Sequence, residues 1–500
     1  MSARRLLLAP LTLLSCATAP GGGTSAGTSG GADQAADAAP AASTWQRTPP
    51  PAALPALPRA LDRASVHALR NGLKVVVIEH KKRPVVTIRV LFPSGAAMEP
   101  ERAAGASYLA IALLGDSYEI GENGKPIIDE KSFRYQVAKL GGHFTFAVTH
   151  DYSTLGIDGY ARDSKRYLDM LAGALTRPRL GEDTFAARRD NILDVLEDAE
   201  LSDDSTFFEF LGQASFGAGH TYARPVYGTM DNVPNLALED VRLEQARLVT
   251  PKGATLIVVG DVSAPTVMAW AEASFGQWKG PPPPKEATIR APAIGKRSSV
   301  GFIRRVPSTN LLVCATRALS DVKGQDEALD VLVEVLGHGA ESRLGTILRE
   351  QNGLTYGAYA EIVRRRFART IVLCSRLRGS DADTGVRLFL QALEELRQKP
   401  PSDEEVLRAR AVLIGAAEAD RDDLGGQLGS TINALVTGVS EEERMTSLRQ
   451  VSPEGVQALA RKILESSQLQ ILVAGEPAHA RTAVKANNLG ALKPLSLSGR

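Results

Sequence analysis

Paired histidines are missing from this chain. The seven present, His67, His80, His143, His150, His220, His338 and His479, include no two at a separation of three to five residues. No single helix turn or hairpin therefore offers a zinc ion two imidazoles. The stretch that reads as folded contains no G-x-S-x-G, no P-loop and no G-x-G-x-x-G after a strand, which removes the local signatures of a hydrolase elbow and of nucleotide binding. Charge of one sign is also missing: 58 Lys and Arg face 57 Asp and Glu, for a net +1. With no basic stripe, a nucleic-acid partner has no electrostatic support. No apolar run of eighteen residues follows the first twenty, so no spanning helix is read. Cysteine is scarce, at three.

What is there is ordinary globular material. The chain has 500 residues, 44% of them hydrophobic and 23% charged, enough for two or more domains with large cores. The N-terminus differs. "MSARRLLLAPLTLLSCATAP" combines two arginines, a short apolar stretch and Leu13-Leu14-Ser15-Cys16, the layout of a secretory signal over residues 1–16. Its end resembles the lipobox of bacterial lipoproteins, which implies acylation of Cys16. The alternative is an ordinary cleaved signal. Residues 17–60 are Gly, Ser, Ala, Thr and Pro with almost no large apolar side chains, too little to offset ordering entropy, and read as a flexible tether. Cys314 and Cys374 lie in the β-like runs "LLVCATRAL" and "RTIVLCSRL". Buried thiols are the default there, and spacing alone leaves a disulfide open.

From His67 the pattern alternates strands and helices. "NGLKVVVIEH" and "RPVVTIRVLFPSG" are strand-like, whereas "SKRYLDMLAGALTRP" puts Tyr167, Leu168, Leu171 and Leu175 on one helix face. The four prolines Pro281 to Pro284 cannot sit inside a helix or a sheet and mark a linker. After it the order recurs. "ALEDVRLEQARLVTPKGATLIVVGDV" from Ala237 lies over "SPEGVQALARKILESSQLQILVAGEP" from Ser452 without a gap, at a constant offset of 215. That offset is too long for a solenoid and indicates two copies of one domain. The expected fold is α+β: two homologous domains, each a mostly antiparallel sheet with helices packed on one face. The division is 61–280, a linker at 281–294, and 295–485. Acidic clusters such as "SEEER" and "SDDS" read as solvated helix starts.

Several stretches together resemble the pitrilysin or insulinase-like metallopeptidases, which include mitochondrial processing peptidase. They are "GLKVVVIEH…PVVTIRVLFPSGAAMEP", "LGGHFTFAVTHDYS", "FGAGHTYARPVYGTMDNVPNLALEDVR", "GATLIVVGDV" and "SRLGTILREQNGLTYGAY". The resemblance runs from about residue 65 to 480 and implies two-domain units that close as a clamshell. Family enzymes carry H-x-x-E-H on a helix, with a third ligand further along. Here the matching helix is "GASYLAIALLG": Tyr108 and Ala112 stand at the imidazole positions and Ile111 at the general base. Along "FAARRDNILDVLEDAE" the third-ligand position falls on Val195, allowing "GENGKPI" as an insertion. The resemblance thus implies no zinc on this chain. Thr145-Phe146 replace the family's Asn-Ala on the strand that pairs with substrate, and His220 in "HTYARPVYG" reads as a loop residue.

The same resemblance matches Arg349 and Tyr356 to a pair that reaches across the chamber and hydrogen-bonds the substrate carbonyl. The bland reading stands beside it. Arg349 suits the last turn of a helix, Gly353 is a helix stop, and Tyr356 alternates with Leu354 and Ala358 and fits a core strand. The expectation is a zinc-less subunit of a heterodimeric periplasmic metallopeptidase, tethered by lipid to a bacterial membrane, the outer one. A homologous partner supplies zinc and base, and the substrate is a peptide or unfolded protein. The competing expectation is a non-enzymatic structural or peptide-binding scaffold. A peptidase with another nucleophile lacks any Ser/His/Asp or Cys/His signature.

Overall fold

In the computed structural model the described residues are 64–115, 130–178, 180–201, 203–217, 219–282, 289, 295–306, 308–319 and 322–495. The signal, Cys16, the tether, the insertion Gly121–Ile127 and most of the proline linker lie outside them. The first half runs β1 (Ala64–Ala68), β2 (Lys74–Glu79), β3 (Val85–Phe92), α1 (Ala106–Leu114), α2 (Glu130–Lys139), β4 (His143–Val148), β5 (Ser153–Tyr160), α3 (Ser164–Thr176), α4 (Glu182–Leu201), α5 (Asp203–Phe216), α6 (Leu238–Leu248), β6 (Thr255–Gly260) and α7 (Ala264–Phe275). The second runs β7 (Ser299–Arg304), β8 (Asn310–Leu319), α8 (Asp326–Gly337), β9 (Thr355–Arg364), β10 (Arg369–Arg378), α9 (Ala382–Gln398), α10 (Asp403–Asp422), α11 (Leu424–Thr437), α12 (Glu441–Arg449), α13 (Pro453–Ile463), β11 (Gln470–Gly475), α14 (Pro477–Ala486) and β12 (Ala491–Pro494).

The strands form two six-stranded sheets, ordered β1-β2-β6-β3-β5-β4 and β12-β7-β11-β8-β10-β9. The first is antiparallel except for β2 with β6. The second is antiparallel except where β7 pairs with β11 and β12. This is the α+β, two-copy architecture read from the sequence. The ungapped match at an offset of 215 covers α6–β6 and α13–β11. In α13, Val456, Leu459, Ala460 and Ile463 are buried at helical spacing, Pro453 opens the helix and Ser452 Oγ accepts from Gly455 N. The strand β12 lies past residue 485, and no sequence signal pointed to it.

Each sheet has its own helices on one face and a helix borrowed from the other half on the opposite face. Ile257 and Val259 of β6 pack with Leu428 of α11. In return, Phe207, Phe210 and Leu211 of α5 pack on Cys314, Val372, Cys374 and Leu472 of the second sheet. Both halves accordingly belong to one compact unit. This exchange explains the all-apolar central strands, since a strand covered on both faces has no polar side to show.

The equivalent hairpin turns of the two halves, β4–β5 and β9–β10, also meet. Asp151 accepts from the Tyr222 hydroxyl at 2.6 Å through one carboxylate oxygen and from Arg366 N at 2.9 Å through the other. Beside it His150 is buried, with Nε2 2.9 Å from Arg224 O. Burial, reinforced by the neighbouring Arg365 guanidinium, pushes its pKa down to about 3. An unfolded histidine titrates near 6.5, so the unfolded chain binds the extra proton first. The stability His150 contributes is complete above pH 6.5 and is lost as pH falls towards 3. We expect urea unfolding of wild type and His150→Gln at pH 7 and pH 4 to show the wild type losing on the order of 3 kcal/mol more than the variant on acidification.

Candidate functional site

Arg349 and Tyr356 sit on two consecutive backbone irregularities. Arg349 belongs to a π-helical turn, Gly345–Glu350, with Gln351 N donating to Thr346 O at 2.9 Å. Such turns are rare and recur at functional sites. Gly353, at φ +59°, ends the turn, its N–H donating to Arg349 O at 2.9 Å while Leu354 N donates to Leu348 O at 2.8 Å. Only a residue without Cβ takes that left-handed conformation at no cost. The chain then enters β9, an edge strand.

The core reading of Tyr356 fails at this point. Leu354, Ala360 and Ile362 do enter the second core, with Ala358 packed against it, and strict alternation would send Tyr356 with them. The β9–β10 register instead pairs Ala358 with Ser375 and Thr355 with Leu377. Tyr356 and Gly357 therefore oppose the single residue Arg376, which is a β-bulge. Thr355 Oγ1 braces it, bonding Gly357 O at 2.7 Å and Arg376 O at 2.8 Å. A bulge breaks alternation and re-aims a side chain. Tyr356 is left 97% exposed, and the Arg349 side chain is 53% exposed, 3.5 Å from Glu350. A large aromatic so fully in solvent contributes nothing to packing.

The positions that the family resemblance matched to a zinc motif are filled quite differently. On α1, Ile111 and Ala112 are buried. Tyr108, half-buried, packs its ring edge-to-face with Tyr227 at 4.9 Å and tilted against Phe146 at 5.5 Å. Leu109, Ala110 and Leu113 pack on Ile192 and Leu196 of α4, where Val195 is half-buried. Apolar side chains and a phenol do not ligate zinc, and among the described residues no three His, Cys, Asp or Glu side chains gather to hold a metal. Beneath α1 lies a polar network that sequence reasoning missed. Glu99 is buried and caps the helix start, accepting from Gly105 N and Ser107 N. Ser107 Oγ links it to Glu244, which Arg247 clamps at 2.6 Å. Burial raises the Glu99 pKa to about 7. The "SGAAMEP" turn six residues before Gly105 was the available signal, but a glutamate's reach to a helix start is a tertiary fact. Because this helix is held by rings and caps, chelation with EDTA is expected to leave the melting temperature unchanged, as differential scanning fluorimetry would read.

The edge strand β4 carries Thr145 and Phe146, the latter committed to the Tyr108 ring. His220 lies in the loop after α5, its Nδ1 accepting from Tyr222 N at 3.0 Å.

Residues 74–230 match the model of the insulinase (peptidase M16) family, and residues 235–413 match the peptidase M16 inactive domain. An uncharacterized zinc protease of Streptomyces coelicolor is 23% identical over 65% of this chain and 72% of its own length. The non-peptidase homolog YmxG of Helicobacter pylori is 22% identical over 78% of this chain and 88% of its own. The structure of a peptidase M16 inactive domain from Pseudomonas fluorescens superposes with a TM-score of 0.73 at 22% identity, covering 83% of this chain and 98% of that one. The periplasmic protease PqqL of Escherichia coli superposes with a TM-score of 0.69 at 13% identity, covering 89% of this chain and 52% of that one. The repeated architecture and the two family models, which together run almost continuously from residue 74 to 413, agree: the chain belongs to the insulinase (M16) peptidase family.

Proposed function

We propose that this chain is the zinc-less subunit of a two-chain peptidase of the bacterial cell envelope. A homologous partner with an intact H-x-x-E-H supplies zinc and the general base. This chain supplies half of the chamber and aims Arg349 and Tyr356 at the carbonyl oxygen of the peptide bond under attack. The carrying observation is an asymmetry within one molecule: the zinc positions are packed shut with Tyr108, Ile111 and Ala112, while Arg349 and Tyr356 are held out in solvent by a π-turn and a bulge. A guanidinium and a phenol are hydrogen-bond donors suited to a developing oxyanion. PqqL, a chain of which this one spans about half, supports a working unit made of two such copies. In this reading residues 1–16 are the signal, Cys16 carries lipid, 17–60 tether the domains 61–280 and 295–485 to the membrane, and 281–294 join them. The Cys314–Cys374 disulfide supports an oxidising compartment.

The test is reconstitution with a homologue that carries the zinc motif. Peptide cleavage that requires both chains, and their co-elution as one species, is the expected result. The scaffold reading has one observation in its favour, the likeness to a non-peptidase homolog. It predicts a stable species of this chain alone and no gain in cleavage on mixing.

A further inference from the structure

The β4–β5 turn, the β9–β10 turn of the other half and the loop from α6 into β6 line a cavity of about 180 Å³. Phe92, Leu248 and Phe367 give it apolar walls. Pro93, Lys252 and Gly253, also on its lining, are exposed, so it opens to solvent. His150 lines it too and is only 7% exposed. The ring's Nε2 lies 2.9 Å from Arg224 O. A carbonyl only accepts, so Nε2 carries the proton and Nδ1 keeps a bare lone pair. That Nδ1 is buried and has no hydrogen-bond partner among the described residues. A second proton does not relieve it: burial and the guanidiniums of Arg365 and Arg224 hold the ring's pKa down at about 3. A buried acceptor left unpaired is costly and uncommon.

We infer that this cavity is a binding site for a small neutral molecule with an apolar body and one O–H or N–H donor, of which phenol is the simplest example. The lone pair on Nδ1 calls for a donor, and a donor placed there makes the bond that burial denied. The two guanidiniums that press on His150 repel an ammonium, so the donor has to be uncharged. The walls call for an apolar body, and a cavity of about 150 Å³ is already enough to take benzene. Residues of both halves line the cavity, so an occupant binds their docked arrangement and not a parted one. Neither Arg349 nor Tyr356 takes part.

Isothermal titration of the isolated chain with phenol and with toluene, which has a methyl where phenol has its O–H, tests this. Phenol is expected to bind about tenfold more tightly. In the nitrogen NMR spectrum of histidine-labelled protein, phenol should move the His150 Nδ1 resonance and toluene should not. Benzylamine, an ammonium at neutral pH, should not bind. His150→Gln keeps an N–H for Arg224 O and displaces the acceptor, so phenol should lose its advantage there. Phe367→Trp, at a half-buried wall position, should weaken both ligands by filling the cavity. If His150→Gln does not fold, the wild-type titration and spectrum decide. Equal affinity for phenol and toluene, phenol binding that leaves the Nδ1 resonance in place, benzylamine binding as tightly as phenol, or failure of phenol to bind overturns the inference.

Discussion

Arg349→Ala and Tyr356→Phe are each expected to lower kcat of the reconstituted two-chain peptidase by about 10²–10³-fold, the usual cost of one oxyanion donor. Chain stability should stay within about 0.5 kcal/mol of wild type, because both side chains are exposed and surface substitutions move stability little. The pairing of a large kinetic effect with a null thermodynamic one is what separates function from packing. A tyrosine in the core would show the reverse, since deleting a buried hydroxyl or ring costs stability first. Tyr356→Phe removes only the O–H, so its loss reports a hydrogen bond rather than shape. The double variant should cost less than the product of the two single losses, because donors serving one oxygen act as a unit. Unchanged kcat in both single variants would remove the catalytic role and leave the scaffold reading.

The pair could be picked out in the sequence only through family resemblance, and the structure shows why. Alternation assigned Tyr356 to the core with Leu354 and Ala358, and two of those three assignments hold, Leu354 within the core and Ala358 packed against it. The third fails through one extra residue in β9, opposite Arg376. A bulge leaves almost no trace in a hydrophobicity pattern, because it shifts phase without changing composition. The π-turn at Arg349 is similarly silent, whereas the stop at Gly353 was legible, since positive φ selects for glycine. The repeat was legible where no insertion interrupts it, from Ala237 and from Ser452. The exchange of α5 and α11 between halves was not. An amphipathic helix shows that it buries a face, never which sheet receives it. At α1 three residue identities led the reading to expect no metal there, and the rings of Phe146 and Tyr227 pack against that of Tyr108 on that helix.

Removing the Cys314–Cys374 disulfide is expected to lower stability by about 4 kcal/mol. Spacing left the pairing open, and register closes it. Cys314 and Cys374 face each other directly across β8 and β10, with Cα atoms 4.2 Å apart and a bond between the two sulfurs. Sixty residues separate them, and closing a loop of that length in the unfolded chain is worth about 4 kcal/mol in the chain-entropy account. The bond also forms the floor on which Phe207, Phe210 and Leu211 of α5 are seated. Its loss should thus loosen the helix that one half lends the other. Both sulfurs are buried, so a reductant should leave the native chain intact and act only on molecules that have opened. Chemical unfolding with and without dithiothreitol, and of Cys314→Ala/Cys374→Ala, should give matching midpoints for the reduced wild type and the double variant, both well below the oxidised protein. In hydrogen exchange, α5 should lose protection before the first sheet does, since β6 keeps its own cover from α11. Coincident midpoints for oxidised and reduced chains would mean that the sheets and their exchanged helices carry the fold without the bond.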